Sequence, residues 1–300
     1  MSARILDGRA VASRLWRELS ERVSALEADP PPRLAIIRFE GNPAAEVYAG
    51  SLGRAARSIG VEALEIVPPD GAGMADLSAR IGSLNRDPHV SGIVVAQPVP
   101  EHLELGAVLA LIDPAKDVDG ATPLNVGRLA RGEDAFAPAT ALAVMAILRT
   151  YEIPIAGRRA VVVGRSSVVG RPVASLLLGA DATVMVCHSR TRNLARETRR
   201  AEILVVAAGQ PGLIRPEMVN RSAVIIDCGI NTTADGIVGD VEFDGVRPVV
   251  RAITPVPGGV GPVTTMMLLE QTVRSAEAAR DERSGQLDRF RVAHPAPSER

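Results

Sequence analysis

Short β-branched runs separated by longer segments of helical period leave this chain few folds to choose from. Strands are expected at Leu34–Phe39, Ala63–Val67, Gly92–Ala96, Ala160–Val163, Thr183–Cys187, Ile203–Ala207 and Ala223–Asp227. Helices are expected at Gly8–Leu26, Ala44–Ile59, Met74–Asn85, Leu103–Ile112, Ala141–Thr150, Gly170–Leu178 and Val263–Ala279. Strands alternating with helices predict an α/β fold with a mostly parallel sheet. Several of the runs are apolar at every position, as strands covered by helices on both faces must be. The mixed Arg/Gly/Glu/Asp/Pro stretch Gly127–Pro138 predicts a domain boundary, and the charged, Pro-containing residues 281–300 predict a disordered tail.

Composition excludes several functions. The formal net charge of −1 gives no field that would gather nucleic acid or an anionic membrane surface, and aromatic residues make up only 2% of the chain, too few for base-stacking platforms. No apolar stretch reaches the roughly 18 residues of a membrane span, and no signal peptide opens the chain, so a cytoplasmic location is expected. Cys187 and Cys228 sit in apolar runs and read as buried thiols, and the four histidines show no metal-ligand spacing, so no metal is expected.

The strongest local signal is Arg159-Ala-Val-Val-Val-Gly164-Arg165-Ser166-Ser167-Val168-Val169-Gly170-Arg171-Pro172. A buried strand runs into a glycine-bounded loop, and a helix begins there. Gly164 permits a tight turn and Gly170 a close start to the helix, whose free N–H groups and partial positive charge suit a pyrophosphate. The spacing is not that of the standard dinucleotide fingerprint, and a plain strand–turn–helix is the alternative. The next strand ends in His188-Ser189-Arg190-Thr191. An NAD-preferring site usually has an acidic residue near this point to hold the ribose hydroxyls. Here Ser189 and Arg190, with Arg165, could instead receive a 2′-phosphate, which favours NADP; a solvated surface charge is the alternative for Arg190.

These segments, together with Asp117-Val-Asp-Gly120, Asn125-Val-Gly127 and Thr254-Pro-Val-Pro-Gly-Gly-Val-Gly-Pro262, resemble the methylenetetrahydrofolate dehydrogenase/cyclohydrolase family from about Ile5 to Ala279. The resemblance implies two α/β domains with a cleft between them. Residues 1–138 plus 262–280 would bind folate, and residues 139–261 would form a Rossmann-like NADP-binding domain. It implies a tetrahydrofolate substrate, a homodimer, and hydride transfer to NADP. It also implies roles for particular residues: Tyr48 stacking on the pterin, Asp119 recognising the pterin ring, and Pro257, Gly258 and Gly259 at the substrate. Gly164, Arg165, Ser166, Gly170, Ser189, Arg190 and Ile230 would lie at the cofactor. Asp119 before glycine also suits a plain turn, and Thr140 and Lys116 match family positions but read as structural.

The chain departs from the family in one cluster. The family's Tyr-x-x-x-Lys motif survives as Tyr48 but ends at Leu52, its glutamine position is Ala96 with Gln97 displaced by one residue, and a customary serine is Ala45. Residues four apart share a helix face, so Arg54 is a poor substitute for the lysine. A one-residue shift along a strand turns a side chain to the opposite face, so Gln97 does not replace glutamine at 96. Only one of the 34 basic residues is lysine, Lys116, but drift from Lys to Arg would have left arginine at 52. Hydride transfer needs aligned partners and excluded water, whereas hydrolysis of the methenyl product needs a positioned acid or base. The expectation is therefore a dehydrogenase whose cyclohydrolase activity is lost or weak. The alternatives are a paralogue acting on another substrate and a non-catalytic nucleotide- or folate-binding regulator.

Overall fold

A computed structural model describes residues 3–27, 30–234 and 236–283. The chain starts with β1 (Arg4–Ile5) and α1 (Gly8–Ala25), which Asp7 caps by accepting the Arg9 N–H at 2.8 Å. β2 (Arg33–Ile37), α2 (Pro43–Ser58), β3 (Glu62–Ile66), α3 (Met74–Arg86) and β4 (Val90–Val95) follow. Their strands form a parallel sheet in the order β3-β2-β4, and all six residues of β4 are buried. The expected helix over Leu103–Ile112 is shorter, α4 (Leu105–Leu109), and a further helix, α5 (Pro123–Arg131), runs into the stretch where the sequence predicts a domain boundary. α5 has its own signals: Thr122 accepts the Asn125 N–H, Pro123 starts the first turn, and Gly132 closes the helix at φ +73°.

α6 (Ala139–Thr150) leads to a second sheet. Its elements are β5 (Arg159–Val163), α7 (Gly170–Gly179), β6 (Thr183–Cys187), α8 (Leu194–Thr198), β7 (Ile203–Val206) and β8 (Val224–Asp227). The antiparallel pair β9 (Asn231–Thr233) and β10 (Gly236–Val238), α9 (Phe243–Val246) and β11 (Ala252–Ile253) follow, and α10 (Val260–Arg283) ends the described chain. This sheet is parallel throughout, in the order β1-β11-β8-β7-β5-β6. β1 therefore pairs with the second sheet, although the sequence reading groups residues 1–138 with the first. Two residues carry too little pattern to show their partner. Residues 281–283, expected in the tail, complete α10, and the rest of the expected tail lies outside the described residues.

α10 packs on α6, α1 and β4, so the last helix returns to the first half of the chain. Buried Gln271 on α10 secures the junction: its Oε1 accepts the Ala137 N–H at 2.9 Å, and its Nε2 donates to the carbonyls of Val118 at 2.6 Å and Ala137 at 2.9 Å. Replacing Gln271 with alanine strands three buried backbone groups, and urea unfolding should show a loss of about 2–4 kcal/mol. Lys116 is structural: its Nζ donates to the carbonyls of Leu84 and Asp87 at the end of α3, and burial pulls its pKa down.

Candidate functional site

In parallel α/β sheets, ligands bind beyond the carboxyl ends of the strands. Every site residue named from the sequence lies on a segment that follows a strand of one of the two sheets. Tyr48 and Leu52 lie on α2, after β2, and Ala96 and Gln97 directly follow β4. Asp119 lies just past Asp117, which bridges in parallel to Ile93 of β4. In the second sheet Gly164 follows β5, Ser189 and Arg190 follow β6, Ile230 follows β8, and Pro257–Gly259 follow β11.

The two aspartates of Asp117-Val-Asp-Gly120 have different tasks. Asp117 is buried and accepts N–H bonds from Ala121 at 3.0 Å, Thr122 at 2.8 Å and the Asn125 side chain at 2.8 Å. It folds the loop and starts α5. Asp119 is left half-buried, with its Oδ1 accepting the Ala139 N–H at 3.3 Å. Burial pushes its carboxyl up to about 6; the Ala139 N–H opposes the shift and the Asp117 charge adds to it. Gly120, at φ +57°, passes so close to the Ala137 backbone that a Cβ would sit 2.5 Å away, which fixes the loop against the chain leading into α6.

The structure brings Tyr48 and Asp119 together. The tyrosine is 41% exposed, but desolvation around its hydroxyl, and secondarily the Asp119 charge, hold the phenol above its ordinary pKa. Ala45, Leu52 and Ala96 are apolar and each at most 2% exposed. Leu52 belongs to the same core cluster as Val94 and Val118. Gln97 is exposed at the end of β4, followed by a cis bond to Pro98. Arg54 is exposed too, so neither residue is buried beside Leu52.

The glycine loop after β5 is tightly built. At Gly164, φ is +124° and a Cβ would lie 2.1 Å from the Ala207 carbonyl oxygen. A Cβ at Gly170 would lie 2.3 Å from the Gly164 carbonyl oxygen. Ser166 accepts the N–H groups of Val169 at 3.1 Å and Gly170 at 3.4 Å. Its hydroxyl therefore shapes the loop itself, beyond the cofactor contact expected from the sequence. Arg165 is exposed. After β6, Thr191 accepts the His188 N–H and His188 Nδ1 accepts the Arg190 N–H, forming a turn that leaves Ser189 and Arg190 exposed. Ile230 is 70% exposed after β8. Pro257, which follows a cis bond, leads to Gly258 at φ +106°, and the Gly8 N–H donates to the Gly258 carbonyl.

Both cysteines are free, and burial pushes both thiols up, against a nucleophilic role. No group of His, Cys, Asp and Glu among the described residues could hold a metal ion, and no described helix is long and apolar enough to cross a membrane.

Residues 6–119 match the family described as tetrahydrofolate dehydrogenase/cyclohydrolase, catalytic domain, and residues 138–280 match its NAD(P)-binding domain. A bifunctional protein FolD from Chloroflexus aggregans is 46% identical over 281 residues, which cover 93% of this chain and 99% of that relative. Its counterpart from Acidiphilium cryptum is 48% identical over 281 residues, covering 93% and 100%. The crystal structure of a bifunctional FolD methylenetetrahydrofolate dehydrogenase/cyclohydrolase from Campylobacter jejuni matches with a TM-score of 0.90 at 42% identity, covering 92% of this chain and 99% of that one. A Trypanosoma brucei methylenetetrahydrofolate dehydrogenase-cyclohydrolase, solved with NADP and an inhibitor, matches with a TM-score of 0.87 at 38% identity, covering 96% and 100%.

Proposed function

The chain belongs to the tetrahydrofolate dehydrogenase/cyclohydrolase family, and from that premise we propose an enzyme that keeps the first activity and has lost or nearly lost the second. It oxidises methylenetetrahydrofolate to methenyltetrahydrofolate with NADP. The observation that carries the reading of lost hydrolysis is Leu52, fully buried where the family pattern has lysine, with Ala96 and Ala45 buried as well.

The loop after β5 suits a dinucleotide: Gly164 packs on the Ala207 backbone and Gly170 on the Gly164 backbone, which holds the N-terminus of α7 close to the end of β5, where its partial positive charge suits a pyrophosphate. The turn after β6 offers a hydroxyl and a guanidinium, with no carboxylate from Cys187 to Asn193 to repel a 2′-phosphate. Gly164, Arg165, Ser166, Gly170, Ser189, Arg190 and Ile230 would hold NADP, which when bound supplies the hydride acceptor. On the substrate side, Tyr48 provides a face for the pterin, Asp119 accepts N–H bonds from its edge, and Pro257–Gly259 line the approach. These residues align donor and acceptor and exclude water, which is what hydride transfer asks of a protein.

Substituting Arg165 or Ser189 with alanine should raise the KM for NADP about tenfold or more while changing NAD use less than threefold. Equal losses with both nucleotides would remove the 2′-phosphate assignment. The dehydrogenase reading itself is tested by mixing the protein with methylenetetrahydrofolate and NADP and following NADPH absorbance. Absence of turnover at micromolar enzyme would favour a paralogue whose less polar site takes another substrate.

We further propose that residues 1–138 plus 262–280 act as the folate unit and 139–261 as the nucleotide unit, with β1 lent to the second sheet and the substrate held in a cleft between them. A cytoplasmic homodimer accompanies this reading. Apolar Leu178, Met185 and Val186, exposed on α7 and the edge strand β6, support self-association, which sedimentation would test.

A further inference from the structure

We propose that Asp240 is a positioning residue for the hydride transfer: its buried carboxylate holds the loops after β7 and β8, on the cofactor side, in register with each other, while its backbone N–H, through Asp227, links them to the loop after β11, on the substrate side. The inference rests on the dehydrogenase reading given above.

Asp240 is 0% exposed and Asp227 3%. Both Asp240 oxygens are fully used. Oδ2 accepts the N–H groups of Ala208 at 2.6 Å and Gly209 at 2.9 Å, while Oδ1 accepts the Gln210 N–H at 2.9 Å and the Asn231 side chain at 2.8 Å. One carboxylate thus ties the loop after β7 to the segment that carries Ile230. Asp227 continues the chain of contacts. It accepts N–H bonds from Gly229, Asp240 and Val241, and its own N–H donates to the Thr254 hydroxyl at 2.8 Å. Thr254 opens the segment that continues to Pro257, Gly258 and Gly259.

Two glycines make the arrangement possible. A Cβ at Gly229 would lie 2.4 Å from the Asp240 nitrogen. One at Gly239 would lie 2.0 Å from Asp227 Oδ2 and 2.9 Å from Val256 on the substrate-side segment. The pattern Asp227-x-Gly229-x-Asn231 with Gly239-Asp240 is therefore one physical unit. Burying carboxylates among neutral donors is costly, and short turns can be closed with neutral residues at lower cost. What the carboxylate adds is a four-donor hub fixing loops from separate strands at once. Transfer rates respond steeply to such registration, since a displacement of about 1 Å can cost about 100-fold.

Asp240→Asn keeps the shape but sets an NH2 group against two N–H donors, whichever way the amide is turned. The expected result is a kcat for NADPH formation lower by about 30-fold or more, with the KM for methylenetetrahydrofolate within about threefold. The primary isotope effect with substrate deuterated at the transferred position should rise, and calorimetric NADP affinity without folate should fall by about tenfold. Asn231→Ala removes one donor and leaves the carboxylate its backbone partners, so it should move the same readouts in the same direction by a smaller factor. It decides the matter if Asp240→Asn does not fold. A folded variant with kcat, isotope effect and NADP affinity all within twofold of the parent would overturn the assignment. A parent that forms no NADPH would instead remove the dehydrogenase reading, and the NADP titrations would still test Asp240.

Discussion

Replacing Leu52 with lysine and Ala96 with glutamine together is expected to raise the hydrolysis of methenyltetrahydrofolate by about 100-fold or more over the parent protein. A positioned acid or base contributes about 10²–10⁴-fold to such a step, and the parent has no ionisable group at position 52. The double change matters. Leu52 is 2% exposed within the core, so lysine alone would place an ammonium where burial favours its neutral form, at a cost of about 1–3 kcal/mol in urea unfolding. Glutamine at 96, on the buried face at the end of β4, supplies a hydrogen-bonding partner and should recover part of that loss. The two residues should therefore be non-additive in both stability and rate. A folded double variant that hydrolyses no faster than the parent would show that other losses, Ala45 among them, had already removed the activity.

Asp119→Asn is expected to cost the dehydrogenase about 100-fold in kcat/KM, mostly through KM. Among the described residues Asp119 is the carboxylate whose charge acts on Tyr48, and an amide offers one acceptor oxygen where the carboxylate offers two. The raised pKa adds a pH signature. Substrate N–H donors favour the ionised form, so KM for the folate should rise as the pH falls below about 6 in the parent and stay flat in Asp119→Asn. The sign for stability is opposite. A carboxyl whose pKa is raised from 3.8 to about 6 on folding contributes fully below pH 3.8 and loses that contribution as the pH passes 6. Free of ligand, Asp119→Asn should thus melt above the parent at pH 8 and level with it at pH 4. A variant that melts below the parent at pH 8 would mean the charge is satisfied in the free protein.

Much of the fold was legible because periodicity is a property of long elements. All seven expected strands are present within about two residues, and Thr183–Cys187 matches at both ends. The omissions are elements of two to five residues: β1, β9, β10, β11, α8 and α9 are too short to carry a period and exist through their neighbours. α5 escaped for another reason, since its polar, arginine-rich sequence reads as a linker unless the Thr122-Pro123 start and the Gly132 stop are weighed. At the site, residue types were legible but tasks were not. Nothing in Asp117-Val-Asp-Gly120 says which carboxylate folds the loop; that depends on three donors reaching Asp117 from residues four to eight positions later. Asp227 and Asp240 were missed altogether, because all their donors but the Asn231 side chain are backbone N–H groups, which leave no mark in the sequence. The glycines at 229 and 239 were the available signal.

The proposed activity moves hydride without opening the methenyl ring. Its most direct measurement follows NADPH and methenyltetrahydrofolate together in one reaction of the parent protein with methylenetetrahydrofolate and NADP. Methenyl product is expected to accumulate mole for mole with NADPH and then to decay at the rate of buffer alone. Formyltetrahydrofolate appearing in step with NADPH, with no methenyl build-up, would contradict the proposed activity.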